Sequence, residues 1–114
     1  MGATKRVWLL IILAAASVSG CNGKKVETYT LYRSSPFVPG LRVHWATFDA
    51  NESDPTYNLN TCELAARLLN ANFTALAKSK GERRDPSVGF WCESGSYHKD
   101  GLIPTSFPEA FPTA

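Results

Sequence analysis

The sequence predicts an α+β fold: a small antiparallel three-stranded sheet with one helix packed on one face. The predicted order is strand, strand, helix, strand. Three observations carry this reading. Two early segments, 26–33 and 41–49, alternate in the two-residue period of a strand. Residues 62–76 repeat apolar side chains at spacings of three and four. A short aromatic and apolar run then covers residues 88–93.

The first strand is predicted over 26–33. Tyr29 and Leu31 face one way, and Thr28, Thr30 and Tyr32 face the other. Threonine and tyrosine suit a pleated, half-buried surface. Ser34-Ser35-Pro36 ends the strand, and Pro39-Gly40 marks a turn. The second strand is predicted over 41–49. Strict alternation puts Leu41, Val43, Trp45 and Thr47 on one face and Arg42, His44, Ala46 and Phe48 on the other. The two strands should pair as an antiparallel hairpin. Residues 50–57 form a polar loop containing Pro55.

The helix is predicted to start at Asn60 or Thr61, where either residue can cap it, with Glu63 in the first turn. Cys62, Ala65, Leu69, Phe73 and Leu76 form its apolar stripe, widened by Leu68. It should run to about Lys78, with Gly81 as its stop. Asp85-Pro86 opens the next connection, and the third strand is placed at 88–93. The main domain is therefore placed at 26–98. Residues 99–114 form a Pro-rich tail, irregular in pattern, whose Phe107 and Phe111 could dock on the domain.

The beginning of the chain has a different character. Lys5 and Arg6 precede an uninterrupted apolar stretch from Val7 to Ala16, and then comes Val18-Ser19-Gly20-Cys21. Cations, an apolar run and small residues in that order mark an export signal. The run is shorter than the roughly 20 residues of a membrane-spanning helix. Val18-Ser19-Gly20-Cys21 resembles the lipobox of bacterial lipoproteins, in which an aliphatic and two small residues precede an invariant cysteine. The resemblance covers only the first 21 residues. It implies that residues 1–20 are a signal peptide, cut between Gly20 and Cys21. It also implies that the Cys21 sulfur carries a diacylglyceryl group and that its new amino group is acylated. Residues 21–25 would then tether the domain to the membrane. In a Gram-negative cell, Asn22, standing where an aspartate commonly retains such proteins at the inner membrane, would imply the outer membrane and its periplasmic side. The alternative is an ordinary signal cleavage that leaves Cys21 as a free or intermolecular thiol.

The lipoprotein resemblance also resolves the cysteine count. The chain has three cysteines, an awkward number in an oxidising compartment. If Cys21 carries lipid, Cys62 and Cys92 are left to pair, and their disulfide would staple the helix to the third strand. A redox role is disfavoured because the pair lacks Cys-x-x-Cys spacing.

Charge excludes one function class. The whole chain carries a formal +2. Once Lys5 and Arg6 leave with the signal, the remaining basic and acidic residues balance. That gives no electrostatic footprint for nucleic acid. Lys78, Lys80, Arg83 and Arg84 cluster locally and read as a solvated turn after the helix.

Chemistry-bearing motifs are sparse. His44 and His98 are the only histidines, and with Cys62 and Cys92 they lack the close ligand pairs of a zinc site. Asp49, Glu52 and Asp54 lack the calcium-loop pattern. Ser94-Gly95-Ser96 is not a hydrolase elbow. The triplets Asn51-Glu52-Ser53 and Asn72-Phe73-Thr74 match a glycosylation pattern that occurs often by chance. No cofactor or metal is implied.

The aromatics are the remaining lead. Tyr29, Tyr32, Trp45, Phe48, Phe90 and Trp91 fall on predicted strands. One helix covers one sheet face, so Tyr32, Trp45 and Trp91 are the candidate binding face, unless the Pro-rich tail turns them into a small second core. The functional expectation is a lipid-anchored envelope protein acting as a binding module for another envelope protein. Its alternatives are a small hydrolase or thiol enzyme using His44 or His98, and a purely structural lipoprotein.

Overall fold

A computed structural model describes residues 26–110. Cys21 with its preceding signal and its tether, and Phe111, lie outside the described residues. The elements are β1 (Tyr29–Ser34), β2 (Arg42–Phe48), α1 (Tyr57–Ser79) and β3 (Phe90–Ser94). The sheet has three strands in the order β2-β1-β3, with both pairings antiparallel. The expected α+β architecture and its element order are therefore present, and Cys62 and Cys92 form a disulfide.

Leu31 of β1, Phe90 of β3, and Cys62 and Ala66 of α1 make the buried core. Tyr29, Ala46, Phe48, Ala65, Leu69, Phe73 and Cys92 pack around it. The disulfide crosses this layer with the two Cα atoms 6.1 Å apart. It closes a loop spanning 30 positions, which stabilises the fold by about 3–4 kcal/mol on the chain-entropy account.

The helix begins a turn earlier than its periodicity suggests. The Asp54 carboxylate accepts hydrogen bonds from the Thr56 backbone N–H (2.9 Å) and hydroxyl (2.7 Å), and the Asp54 carbonyl accepts from Tyr57 N–H. That local turn after Pro55 launches α1. Asn60 and Thr61 are consequently inside the helix, and Glu63 lies beyond its first turn.

The buried row of α1 is Asn58, Cys62, Ala66 and Asn70, at strict spacings of four. Leu68 and Leu76, expected in the apolar stripe, are about half exposed, as is Leu64. Two buried asparagines take core positions because their amides are fully used. Asn58 accepts from Ala50 N–H and donates to the Glu27 and Ala50 carbonyls. Asn70 accepts from Phe90 N–H and donates to the Phe90 and Pro108 carbonyls. A buried amide is tolerable when its donors and acceptor are satisfied.

Strand β2 departs from strict alternation. The pairing runs Leu31↔Ala46 and then Tyr32↔His44, which leaves Trp45 as an extra residue in a bulge. Arg42, His44 and Thr47 thus share the face away from α1. Trp45, Ala46 and Phe48 share the helix side, where Trp45 meets Phe90 edge-on at 5.0 Å.

Candidate binding surfaces

The face of the sheet away from α1 is not open. Tyr32 is 1% exposed and Trp91 6%. Their rings stack at 5.5 Å, and the chain after β3 folds back over them. Tyr97 packs on both Tyr32 and His44, and His98 N–H donates to the Tyr32 hydroxyl at 2.8 Å. Farther along, Phe107 reaches Trp91 with ring centres 6.0 Å apart. The predicted face Tyr32–Trp45–Trp91 is thereby divided. Tyr32 and Trp91 belong to a second core beneath the tail, whereas Trp45 lies on the opposite side and is 49% exposed.

Two glycines show how closely the tail is seated. A Cβ on Gly89 would lie 2.2 Å from the Phe107 ring. One on Gly101 would collide with the Arg42 guanidinium. Arg42 is itself buried. It donates to the Asp100 carbonyl at 3.1 Å, pairs with Glu93 at 2.5 Å, and lies 4.1 Å above the Tyr32 ring. Beyond Phe107 the tail reaches the helix: Asn70 holds the Pro108 carbonyl, Thr74 holds Glu109, and Arg67 holds the Ala110 carbonyl. The described part of the tail is irregular in backbone yet seated on the domain. Phe107 and side-chain hydrogen bonds fix it in place.

Among the described residues, two large apolar side chains are exposed far more than the rest. The β1–β2 loop carries Phe37 at its crown, 90% exposed, and Leu102 of the tail is 91% exposed. The loop is held from within. The Ser35 hydroxyl oxygen accepts from Phe37 N–H (3.2 Å) and Val38 N–H (3.0 Å). Leu41 N–H donates to the Val38 carbonyl, and Ser35 N–H to the Leu41 carbonyl. Pro36 and Pro39 fix two more backbone angles. Beneath Phe37 is a cleft of about 580 Å³, walled by Pro36, Val88, Ile103 and Pro104. Asp85 stands at its rim, where the hydroxyl and the N–H of Ser87 hold its carboxyl below the usual carboxylate range.

A second cleft, of about 850 Å³, runs beside β3. Ala66 and Glu63 of α1 form one wall, Trp91 to Glu93 the floor, and the tail from Asp100 to Ser106 the other wall.

The other sequence candidates are scattered. His44 is exposed on β2, with Nε2 2.7 Å from the Thr47 hydroxyl, and His98 is exposed in the connection between β3 and the tail. Both described cysteines are in the disulfide, so neither is a thiol nucleophile beside them. Among the described residues no three His, Cys, Asp or Glu side chains converge as metal ligands. Lys78, Lys80 and Arg83 are exposed, and Arg84 is half-buried with its nearest carboxylate, Glu109, at 3.9 Å. Among the described residues no helix is long and apolar enough to cross a membrane.

No family model matches the chain, and no curated protein or solved structure matches it either. Sequence reasoning missed the loop crown, reading 34–40 only as a strand end followed by a turn. The signal present there was an uncharged segment with Phe37 and Val38 between two prolines, since large apolar side chains in a fixed turn mark contact surface.

Proposed function

We propose that this chain is a lipid-anchored binding module of the cell envelope, tethered through Cys21 and contacting a protein partner through the Phe37 crown. The observation that carries the reading is a 90% exposed phenylalanine on a loop stiffened by its own hydrogen bonds. Exposing that ring costs the monomer solvation free energy, and stiffening the loop lowers the entropy lost on binding. Position agrees with the anchor. The chain enters β1 at Tyr29, and the crown lies past Ser34, about 20 Å along the strand. A domain held from its N-terminal side presents this end away from the membrane. Val38 on the same loop, 51% exposed, and the cleft below Phe37 extend the contact area.

Two measurements test it. Mass analysis of the mature N-terminus should find Cys21 acylated; an unmodified Cys21 overturns the anchor. Partners recovered from the protein's own membranes should be lost with Phe37→Ala plus Val38→Ala, while the circular dichroism spectrum is unchanged. The same partners with wild type and variant would remove the crown from the reading.

A further inference from the structure

We infer that the cleft beside β3 takes an extended peptide from a protein partner, added as a fourth strand beneath the tail. This goes beyond the crown and does not depend on it. Hydrogen bonds alternate in direction along an antiparallel pair. Ser34 N–H donates to the Gly89 carbonyl at one end of the β1–β3 ladder, and Gly95 N–H to the Thr28 carbonyl at the other. Phe90 lies between and sends both its N–H and its C=O away from β1, to Asn70. By the two-residue period, Cys92 and Ser94 turn their N–H and C=O groups to the same outer edge. Among the described residues neither has a backbone or side-chain partner there. The side-chain amide of Asn70 already does at Phe90 what a neighbouring strand would do. Cys92, one strand period farther on, forms part of the cleft floor.

The tail is built as a strap over this edge. It is held at Asp100 by Arg42 and from Phe107 to Ala110 by aromatic contact and hydrogen bonds. Residues 101–106 between those points make no hydrogen bond to the domain among the described residues. A strand entering here finds main-chain partners on one side and Ile103 and Pro104 on the other. Charge selects the occupant further. Arg42 and Glu93 neutralise each other, which leaves Glu63 and Asp100 as the uncompensated charges of the lining. The fitting segment is therefore extended, carries an apolar side chain toward Ala66 and Ile103, and has a lysine or arginine for the acidic rim.

The test uses the full mature protein and a random peptide library displayed on phage. Selected peptides should be enriched in basic and β-branched residues and should slow hydrogen exchange at the Cys92 and Ser94 amides. Ser94→Pro removes an N–H that the β1 ladder does not use, and proline is tolerated on edge strands. It should weaken the selected peptides about tenfold or more. Glu63→Lys with Asp100→Lys, both at exposed positions, should weaken them as well and serves if Ser94→Pro does not fold. Three results overturn the inference: no library binder, binding that leaves the Cys92 and Ser94 amides unprotected, or affinities unchanged in the variants. Protection confined to residues 35–40 would instead assign the binding to the crown.

Discussion

Asn70 meets Phe90 as a neighbouring strand would. Its side-chain oxygen accepts from Phe90 N–H at 2.8 Å, and its side-chain nitrogen donates to the Phe90 carbonyl at 3.0 Å. The same nitrogen donates to the Pro108 carbonyl at 2.9 Å. One fully buried amide thus ties helix, edge strand and tail together. Asn70→Leu keeps similar bulk but deprives an N–H and two carbonyls of their partner. The expected loss is about 2–6 kcal/mol, since each of the two buried Phe90 groups costs about 1–3 when unpaired, while water reaches the carbonyl of the exposed Pro108. Urea unfolding measures it. A loss near the error of the extrapolation would mean that water replaces the amide.

The tail is part of the fold, and Trp91 reports it. Phe107 and Tyr97 close over the Tyr32–Trp91 stack. Phe107→Ala should red-shift the tryptophan emission and cost about 2–4 kcal/mol, near the lower part of the range for aromatic truncation because Phe107 is only half-buried. Gly89→Ala should act in the same direction, because its methyl group would occupy the place of the Phe107 ring. Unshifted emission in both variants would mean that the tail does not cover Trp91 in solution.

The parts of the fold legible in the sequence are those that periodicity can carry. Leu31, Cys62 and Phe90 lie on elements whose apolar spacing places them in the core. Asn58 and Asn70 cannot be placed this way. An asparagine at a core position is written like a surface residue, and its partners are 8 to 38 residues distant. Strict alternation misplaces Trp45, because a single bulge residue exchanges the faces of the strand on either side of it, and nothing local announces a bulge. The tail lacks any period, so its attachment through Phe107, Arg42 and Asn70 is visible only in three dimensions. Of the two readings of the strand aromatics, an open face or a second core under the tail, Tyr32 and Trp91 follow the second, and the bulge sets Trp45 apart from them.

Loss of the Cys62–Cys92 disulfide should be the largest single change in stability on reduction. Cys62→Ala with Cys92→Ala, or full reduction, removes the staple between α1 and β3. The expected cost is about 3–4 kcal/mol. That is a large share of the roughly 5–15 kcal/mol typical of whole domains. Melting with and without reductant checks it, at roughly 4–8 °C per kcal/mol for a domain of this size. Coincident melts would show that packing alone holds the helix.

Acid should weaken the fold through two exposed turns. Hydrogen bonds from the Thr56 N–H and hydroxyl hold the Asp54 carboxyl below its ordinary value, and the hydroxyl and N–H of Ser87 do the same for Asp85. A carboxylate with a lowered folded pKa contributes stability that is complete above its unfolded value. The contribution disappears as pH falls through the lowered value. Wild type should therefore lose stability from about pH 4 downward. Asp54→Asn with Asp85→Asn should flatten that limb by lowering the stability near neutrality toward the value the wild type has in acid. Parallel stability curves for the two proteins would exclude the turns as the source.

Arg42 poses the sharper electrostatic question. The residue is 3% exposed, and its Nε has no hydrogen-bond partner. Its charge is met by Glu93, by the Asp100 carbonyl and by the face of Tyr32. The Glu93 oxygen that takes Arg42 also accepts from Trp91 Nε1 at 2.6 Å. Removing one member of a buried pair strands the other, whereas replacing both removes the desolvation penalty along with the attraction. Glu93→Gln should therefore cost more than Glu93→Gln combined with Arg42→Met. Because Glu93 is 40% exposed, water screens the pair, and the single loss should be about 1–2 kcal/mol rather than the 3–5 of a fully buried pair. A double-mutant cycle by urea unfolding decides the matter. If the losses simply add, Arg42 is held by its packing on Tyr32 and Trp91, and the ion pair contributes nothing beyond it.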